Sequence, residues 1–323
     1  MLKHFLLIAL RNLLRYRSLS IINIIGLSAG ITCSVVILLF VRYELCFDAS
    51  LPLADKTFRV VQHTAFAEGT SHWGTTAYPL AEALRNDFSE FAIVTQASGP
   101  NSQLFSVTDQ NGVQNNYEEQ HVLFVDEFYP SVFTLNWIAG DARTALRRKD
   151  AVILTYSVAK KFFGDESDNP RAILGRTIQF QNKELLTVTA IVEDAPGNTN
   201  LRYGVLMNYA FYKQSDPYQS GNWSGNYQGT TFVVMTDLAQ EEAVEQKIAA
   251  WKKKYLKPDD DRRISYFLQP LKEIHNETRY GSSPGSYVMP ISIIRTAIVV
   301  ALLILIVASA NFVNLATAQA SVR

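Results

Sequence analysis

"RNLLRYRSLSIINIIGLSAG", residues 11–30, sets three arginines directly before an uncharged run that continues to Val41. From Ser18 to Val41 no side chain ionises, and at about 1.5 Å per residue a helix of that length crosses the roughly 30 Å hydrocarbon layer of a membrane. A signal peptide has an apolar stretch of only about 7–15 residues and a small-x-small cleavage site. Here the run is longer and its exit, Phe40-Val41-Arg42-Tyr43-Glu44, offers no such site. Gly30-Ile31-Thr32 before Cys33 makes a poor lipoprotein signal, and Cys33 lies in mid-run. The stretch reads as an uncleaved transmembrane helix, Ser20 to Val41 within a membrane segment of 18–42.

Orientation follows from charge. Lys3, Arg11, Arg15 and Arg17 precede the run and no acid occurs before Glu44, so the basic flank stays in the cytoplasm and the chain beyond Arg42 is exported. Residues 3–15, projected as a helix, gather His4, Arg11 and Arg15 on one side and Phe5, Leu6, Leu10, Leu13 and Leu14 on the other. Residues 1–17 therefore suit a cytoplasmic amphipathic helix lying on membrane lipid, with Arg11, Arg15 and Arg17 at the head groups. The alternative is a plain cytoplasmic extension of the first span.

A second uncharged run, Thr296 to Val322, has Arg295 at one edge and Arg323 at the other. It places a returning membrane helix over 290–318 and a short cytoplasmic end over 319–323. Between the spans, 43–289 is long enough for one large domain or two small ones. Six of the 30 basic residues lie outside 43–322, which leaves 24 bases against 30 acids there. A mildly acidic exported domain is a poor partner for nucleic acid. Cys33 and Cys46 lie too far apart along the helical path for a disulfide.

The exported pattern mixes strands and helices. "FRVVQH" (58–63) and "FAIVTQAS" (91–98) read as strands flanking a helix, Tyr78 to Asn86, opened by Pro79. "QLFSV" and "HVLFV" are further strands, and "DEFYPSVFTLNW" a short helix and turn. "DAVILTYSVAKKFFG" runs from a strand into a helix starting near Tyr156 and stopped by Gly164. "RTIQF" and "ELLTVTAIV" form a hairpin about Gln181-Asn182-Lys183. Residues 213–230, rich in Gly, Ser, Asn, Tyr and Gln, read as a long loop. "TFVVM", a charged amphipathic helix from Leu238 to Tyr255, and "RRISYFLQPL" complete the domain.

Chemistry is hard to find in this pattern. Gly69 to Thr76 has the glycine spacing of a phosphate-binding loop, but Thr75 stands where the lysine is needed and no strand runs directly into it, so it reads as a surface loop. His63, His72 and Glu68 lack anything that fixes them on one face, which favours a surface pair of histidines over a metal site. Ser106, Ser157 and His121 lack the context of a nucleophile. Lys252-Lys253-Lys254 reads as the solvated face of a helix. The expectation is a protein without catalytic, cofactor or metal sites, not an enzyme.

The order of segments resembles the N-terminal part of the permeases of the MacB/FtsX class of ABC transporters. The resemblance is carried by residues 6–61, including "YELCFD" at the outer exit and "FRVV" opening the domain, by 150–180 with its Phe-Gly stop and Gly-Arg-Thr strand, by "LQPLKEIH" and by "SANFVNLATAQASVR". It implies an α+β periplasmic core domain between two transmembrane helices: a ferredoxin-like porter of about 55–140 and 230–275, with an inserted mixed α/β subdomain of about 145–229. It also implies a bacterial inner-membrane location and a separate cytosolic ABC ATPase. A second permease copy, in a homo- or heterodimer, and a periplasmic adaptor are further implied partners. The resemblance further implies that work is transmitted through the helices to the exported domains. Relatives continue past the second span and MacB carries a fused N-terminal ATPase, so the chain looks like a truncated permease whose ATPase is a separate polypeptide. The alternative is a two-span sensor with an extracytoplasmic ligand domain, and a membrane-tethered enzyme comes third. No residue selects a substrate.

Gly26, Gly30 and Ser34 line one face of the first helix. Small residues allow close backbone approach in lipid, either to the first span of a second copy or to the chain's own second span near Ala308 and Asn311.

Overall fold

A computed structural model describes residues 17–109, 111–215, 221–225, 229–280 and 287–321. Residues 1–16 of the amphipathic helix expected at 1–17, Arg11 and Arg15 among them, lie outside the described residues, as does Arg323. The chain divides into two compact units, one made of the two long terminal helices and one spanning Phe47–Val288.

The first unit contains α1, Arg17–Leu45. Most of its Ile, Leu and Val side chains point outward: Ile21, Ile22, Ile24 and Ile25 are each more than half exposed. Such a surface suits the hydrocarbon of a bilayer. The closing helix, Ile291–Ser321, is of the same kind, with Leu302, Ile306 and Val307 outward. Both are long and apolar enough to cross a membrane, over Ser20–Leu45 and Ile291–Asn314.

The second unit is built on one sheet. Its elements in chain order are β1 (Thr57–Phe66), β2 (Gly69–Trp73), α2 (Leu80–Asp87), β3 (Phe91–Thr108), β4 (Gln114–Val125), α3 (Tyr129–Val132) and β5 (Trp137–Ala139). There follow β6 (Ala151–Thr155), α4 (Tyr156–Phe163), α5 (Pro170–Ile173), β7 (Thr177–Phe180), β8 (Glu184–Val192), β9 (Val205–Asn208) and α6 (Tyr209–Ser215). The last are β10 (Thr230–Met235), α7 (Glu241–Trp251), α8 (Pro258–Arg263) and β11 (Ile264–Pro270), after which the closing helix is α9.

The strand order β11-β1-β10-β3 is antiparallel throughout. With α2 between β1 and β3 and α7 between β10 and β11, this is the split βαβ arrangement of ferredoxin-like folds. The alternation of "TFRVV" sends Phe58 and Val60 to one face, where they pack with Leu80, Leu84, Val94, Val233, Val244, Ile248 and Leu268 beneath the two helices. Beyond β3 the same sheet continues as β4-β9-β6-β8-β5, with β4-β9 and β6-β8 parallel. β6 is buried at all five positions, as expected of a strand covered on both faces. It packs with Phe105, Phe124, Phe162, Ile178, Val188 and Met207.

Three departures from the sequence reading have physical causes. "FAIVTQAS" and "QLFSV" are one 18-residue strand, β3, bent where its register with β4 shifts between Ser98 and Gln103. Gly99 there has φ +108, and a Cβ on it would lie 2.4 Å from the Val122 carbonyl oxygen. This irregularity also accommodates Pro100 within a strand. Second, the stretch read as a surface loop from Gly69 forms β2, because β1 runs past β10, whose pairing ends at Val60, and pairs with β2 from Gln62 to Phe66.

Third, Lys252 is 9% exposed rather than solvated. Its ammonium donates to the Asp261 carbonyl at 2.5 Å and to that of Ile264, and lies 3.3 Å from the Asp261 carboxylate. The hairpin at Gln181-Asn182 has positive φ at both residues, 51° and 56°, the conformation that matches the twist of paired strands.

Candidate functional site

In lipid, helices associate through close packing of small residues and not through the hydrophobic effect. On α1, Gly30 meets Ala308 of α9 so closely that a Cβ on Gly30 would lie 2.5 Å from the Ala308 Cβ. A Cβ on Gly26 would lie 3.5 Å from the Asn311 amide nitrogen. Ser34 Oγ donates to the Ala301 carbonyl at 3.0 Å, with both residues buried. The Gly26-Gly30-Ser34 face therefore lies against the chain's own second helix. Arg17, the first residue of α1, is exposed.

Where the chain enters the second unit, Phe47 and Asp48 are both buried. Asp48 adopts φ +53, a left-handed conformation that a short polar side chain tolerates. Its carboxylate accepts from Thr199 Oγ1 at 2.6 Å, Asn200 Nδ2 at 2.7 Å and the Asn200 amide at 3.1 Å. Burial raises the Asp48 pKa above the ordinary value, opposed by these hydrogen bonds and by His275. Phe47 stacks on His275 with ring centroids 3.4 Å apart and planes 6° from parallel. Tyr287 meets both rings edge-on, at 5.9 Å from Phe47 and 5.1 Å from His275. The residue two past the end of α1 and the residue four before α9 thus share one imidazole, itself 0% exposed.

After β11, Tyr280 reaches the sheet face that α2 and α7 leave open. His63 Nε2 is 2.9 Å from Tyr280 Oη. His63 and His72 sit directly opposite each other on β1 and β2, rings perpendicular at 4.3 Å. The sequence did not place these histidines on one face; the β1-β2 pairing does. Burial lowers the His63 pKa, with His72 and Arg279 pushing the same way.

Arg59, 1% exposed, donates from Nε and Nη2 to Gln269 Oε1 at 2.9 and 2.7 Å, and its guanidinium lies 5.8 Å from the Tyr280 ring centroid. Burial lowers its pKa to about 10, while Tyr280 and Glu277 act in the opposite sense. Gly74 is needed here for a structural reason: a Cβ on it would lie 2.7 Å from Arg59 Nη1. The glycine that suggested a phosphate loop makes room for a buried arginine.

The remaining candidates are not brought together. Ser157 Oγ donates to Asp194 at 2.6 Å, and Ser106 Oγ lies 2.6 Å from Asn116 Oδ1 and 2.9 Å from Asn182 Oδ1. His121 lies on β4 and Glu68 in the β1-β2 turn. Among the described residues no three His, Cys, Asp or Glu side chains are placed to hold a metal ion. Phe47 and Asp48 stand within "YELCFD", Arg59 within "FRVV" and His275 within "LQPLKEIH", stretches the sequence marks without giving these residues a role, and Asn200 carries no local signal.

No curated protein compared with the chain matches it. Among solved structures, a domain from Porphyromonas gingivalis, provisionally described as part of a permease protein, is similar with a TM-score of 0.58 at 16% identity, covering 76% of this chain and 98% of that one. Its likeness supports the fold. The periplasmic region of MacB from Actinobacillus actinomycetemcomitans is more distant, with TM-score 0.46 and 14% identity over 69% of this chain and 92% of that one. So is the extracellular domain of the noncanonic ABC-type transporter YknZ from Gram-positive bacteria, with TM-score 0.44 and 12% identity over 66% and 99%. The sequence pattern of one family matches residues 20–251, a span that begins inside α1, crosses the ferredoxin-like half and the inserted strands, and ends at α7. With over two thirds of its length in that match, the chain belongs to the family of the MacB-like periplasmic core domain.

Proposed function

We propose that this chain is the membrane-anchored, domain-bearing part of an ABC-transporter permease, which passes the work of ATP hydrolysis on a separate cytosolic ATPase to an exported domain. Both termini are cytoplasmic in this reading, the domain is periplasmic, and the membrane is the bacterial inner membrane. Membership of the family of the MacB-like periplasmic core domain supports that reading. The chain itself performs no chemistry; it works with a second permease copy, and a periplasmic adaptor completes the path.

The observation that carries the reading is the shared contact of Phe47 and Tyr287 with His275. A domain whose entry and exit residues both rest on one buried imidazole responds as a body to a displacement of either connection, which is what a lever needs. The first test is isolation from native membranes with an affinity tag on the chain. The expected result is co-isolation of an ABC ATPase whose hydrolysis is vanadate-sensitive. Co-isolation of a histidine kinase or cyclase in its place would overturn the proposal.

A further inference from the structure

His63 and His72 are packed in a way that suits neutral rings. The β1-β2 pairing sets the two imidazoles perpendicular with centroids 4.3 Å apart, and Phe267 of β11 and Tyr280 lie against His63 at 4.4 and 5.6 Å. A charged imidazole carries a proton on each nitrogen. His72 Nδ1 is buried and has no hydrogen-bond partner among the described residues, so a charged His72 leaves a buried N–H unsatisfied. His63 Nε2 keeps Tyr280 Oη at 2.9 Å as a partner in either state. Its charged form is opposed by other means: burial first, then His72 and Arg279, lower its pKa.

Two guanidinium groups stand at the same Tyr280 ring. β1 contributes Arg59, 5.8 Å from the ring centroid, and the stretch after β11 contributes Arg279 at 5.5 Å. β11 adds no charge on this face, where Ser265 and Phe267 lie opposite His63 and Val61. The facing acid is Glu277, which interacts with His72 and is already bound to Arg279 at 2.7 Å. Glu245 of α7 acts on Tyr280, and Glu273 on Arg279. We propose that the histidine pair is an acid-released latch: two uncharged imidazoles hold Tyr280 on the sheet near neutral pH, and their protonation releases Tyr280 together with the turn at 276–280. These residues are half-buried or exposed, so their release leaves the core closed. In the released form the imidazoles stand in water and titrate near about 6.5. The docked form holds fewer protons, so docking is complete above about pH 7.5 and is lost as pH falls below about 6.5. The inference rests on the second unit alone and requires neither ATP nor a partner.

The test is hydrogen–deuterium exchange of the full chain in lipid nanodiscs, read by mass spectrometry on peptides ending at Tyr280 and on a peptide covering β6. Between about pH 7.5 and about pH 5, protection over 276–280 should fall several-fold after correction for intrinsic exchange, while β6 stays protected. His63→Asn, which retains a polar partner for Tyr280, combined with His72→Phe, which retains the ring contact, should leave 276–280 equally protected at both values. The imidazole signals of a chain with isotope-labelled histidine, assigned with each single variant, should titrate at the pH where protection is lost. That second measurement decides the matter where the double variant does not protect β6 at neutral pH. No loss of protection in the unaltered chain, or a loss shared by β6, would overturn the inference. So would a loss that persists in the folded double variant, which would place the proton on the neighbouring His275, or signals of His63 and His72 that titrate apart from the loss.

Discussion

The ring of Phe47, two residues past the first membrane helix, lies 3.4 Å from the ring of His275 and nearly parallel to it. Both side chains are excluded from solvent. Phe47→Ala should cost about 3 kcal/mol, the usual loss for a large aromatic removed from a packed core. Thermal or urea unfolding followed by tryptophan fluorescence measures it. His275→Ala should cost a similar amount, and the double variant less than the sum, because the two rings share a contact.

The helix pair has its own test. Gly30→Leu places a side chain where a single Cβ already meets Ala308 at 2.5 Å. In a chain with Cys33 replaced by alanine, cysteines at Ser34 and Ala301 should crosslink readily within one molecule. Adding Gly30→Leu should reduce that yield several-fold and leave the unfolding of the exported domain unchanged. An undiminished yield would show that the pair does not depend on this approach.

The buried lysine predicts an asymmetry within "KKK". Lys252→Ala strands the Asp261 and Ile264 carbonyls, and buried groups without a partner cost about 1–3 kcal/mol each. Lys253, exposed beside it, should tolerate alanine with a change below about 0.5 kcal/mol. Equal effects in chemical denaturation would contradict the assignment.

Asp87 predicts a pH dependence. The ammonium of Lys254 first, then the Trp251 indole and the Tyr255 hydroxyl, lower its pKa to about 2. An unfolded carboxyl titrates near about 3.9. The folded form holds fewer protons in that window, so the contribution of Asp87 is complete above pH ~4 and is lost as pH falls toward ~2. Asp87→Asn should flatten the stability profile between those values. An unaltered slope in acid titration by Trp251 emission would remove Asp87 from the account.

Much of the architecture was legible in the sequence, for reasons that can be named. The two spans follow from length and absence of charge, and each core strand from apolar alternation or a continuous apolar run, as in "AVILT" (151–155). β2 was not legible because "GTSHW" has little strand character of its own and is a strand only through pairing with β1. Three consecutive lysines look alike until α8 and β11 fold over one of them. The cluster at His275 joins residues distant along the chain, and no local pattern announces such a meeting. Gly26, Gly30 and Ser34 were visible as a small-residue face, but which helix they meet was not.

The central claim is that the exported domain moves with the membrane helices under ATP, through the cluster at His275. Spin labels at Lys183→Cys, an exposed hairpin site, in two copies of the ATPase-bound assembly lacking Cys33 and Cys46 would report that motion by pulsed electron paramagnetic resonance. The account predicts a label-to-label distance that changes between nucleotide-free and vanadate-trapped states. It predicts further that the change is lost in His275→Ala while ATP hydrolysis persists. A distance that does not respond to nucleotide in the unaltered protein, or a response that survives His275→Ala in full, would contradict it.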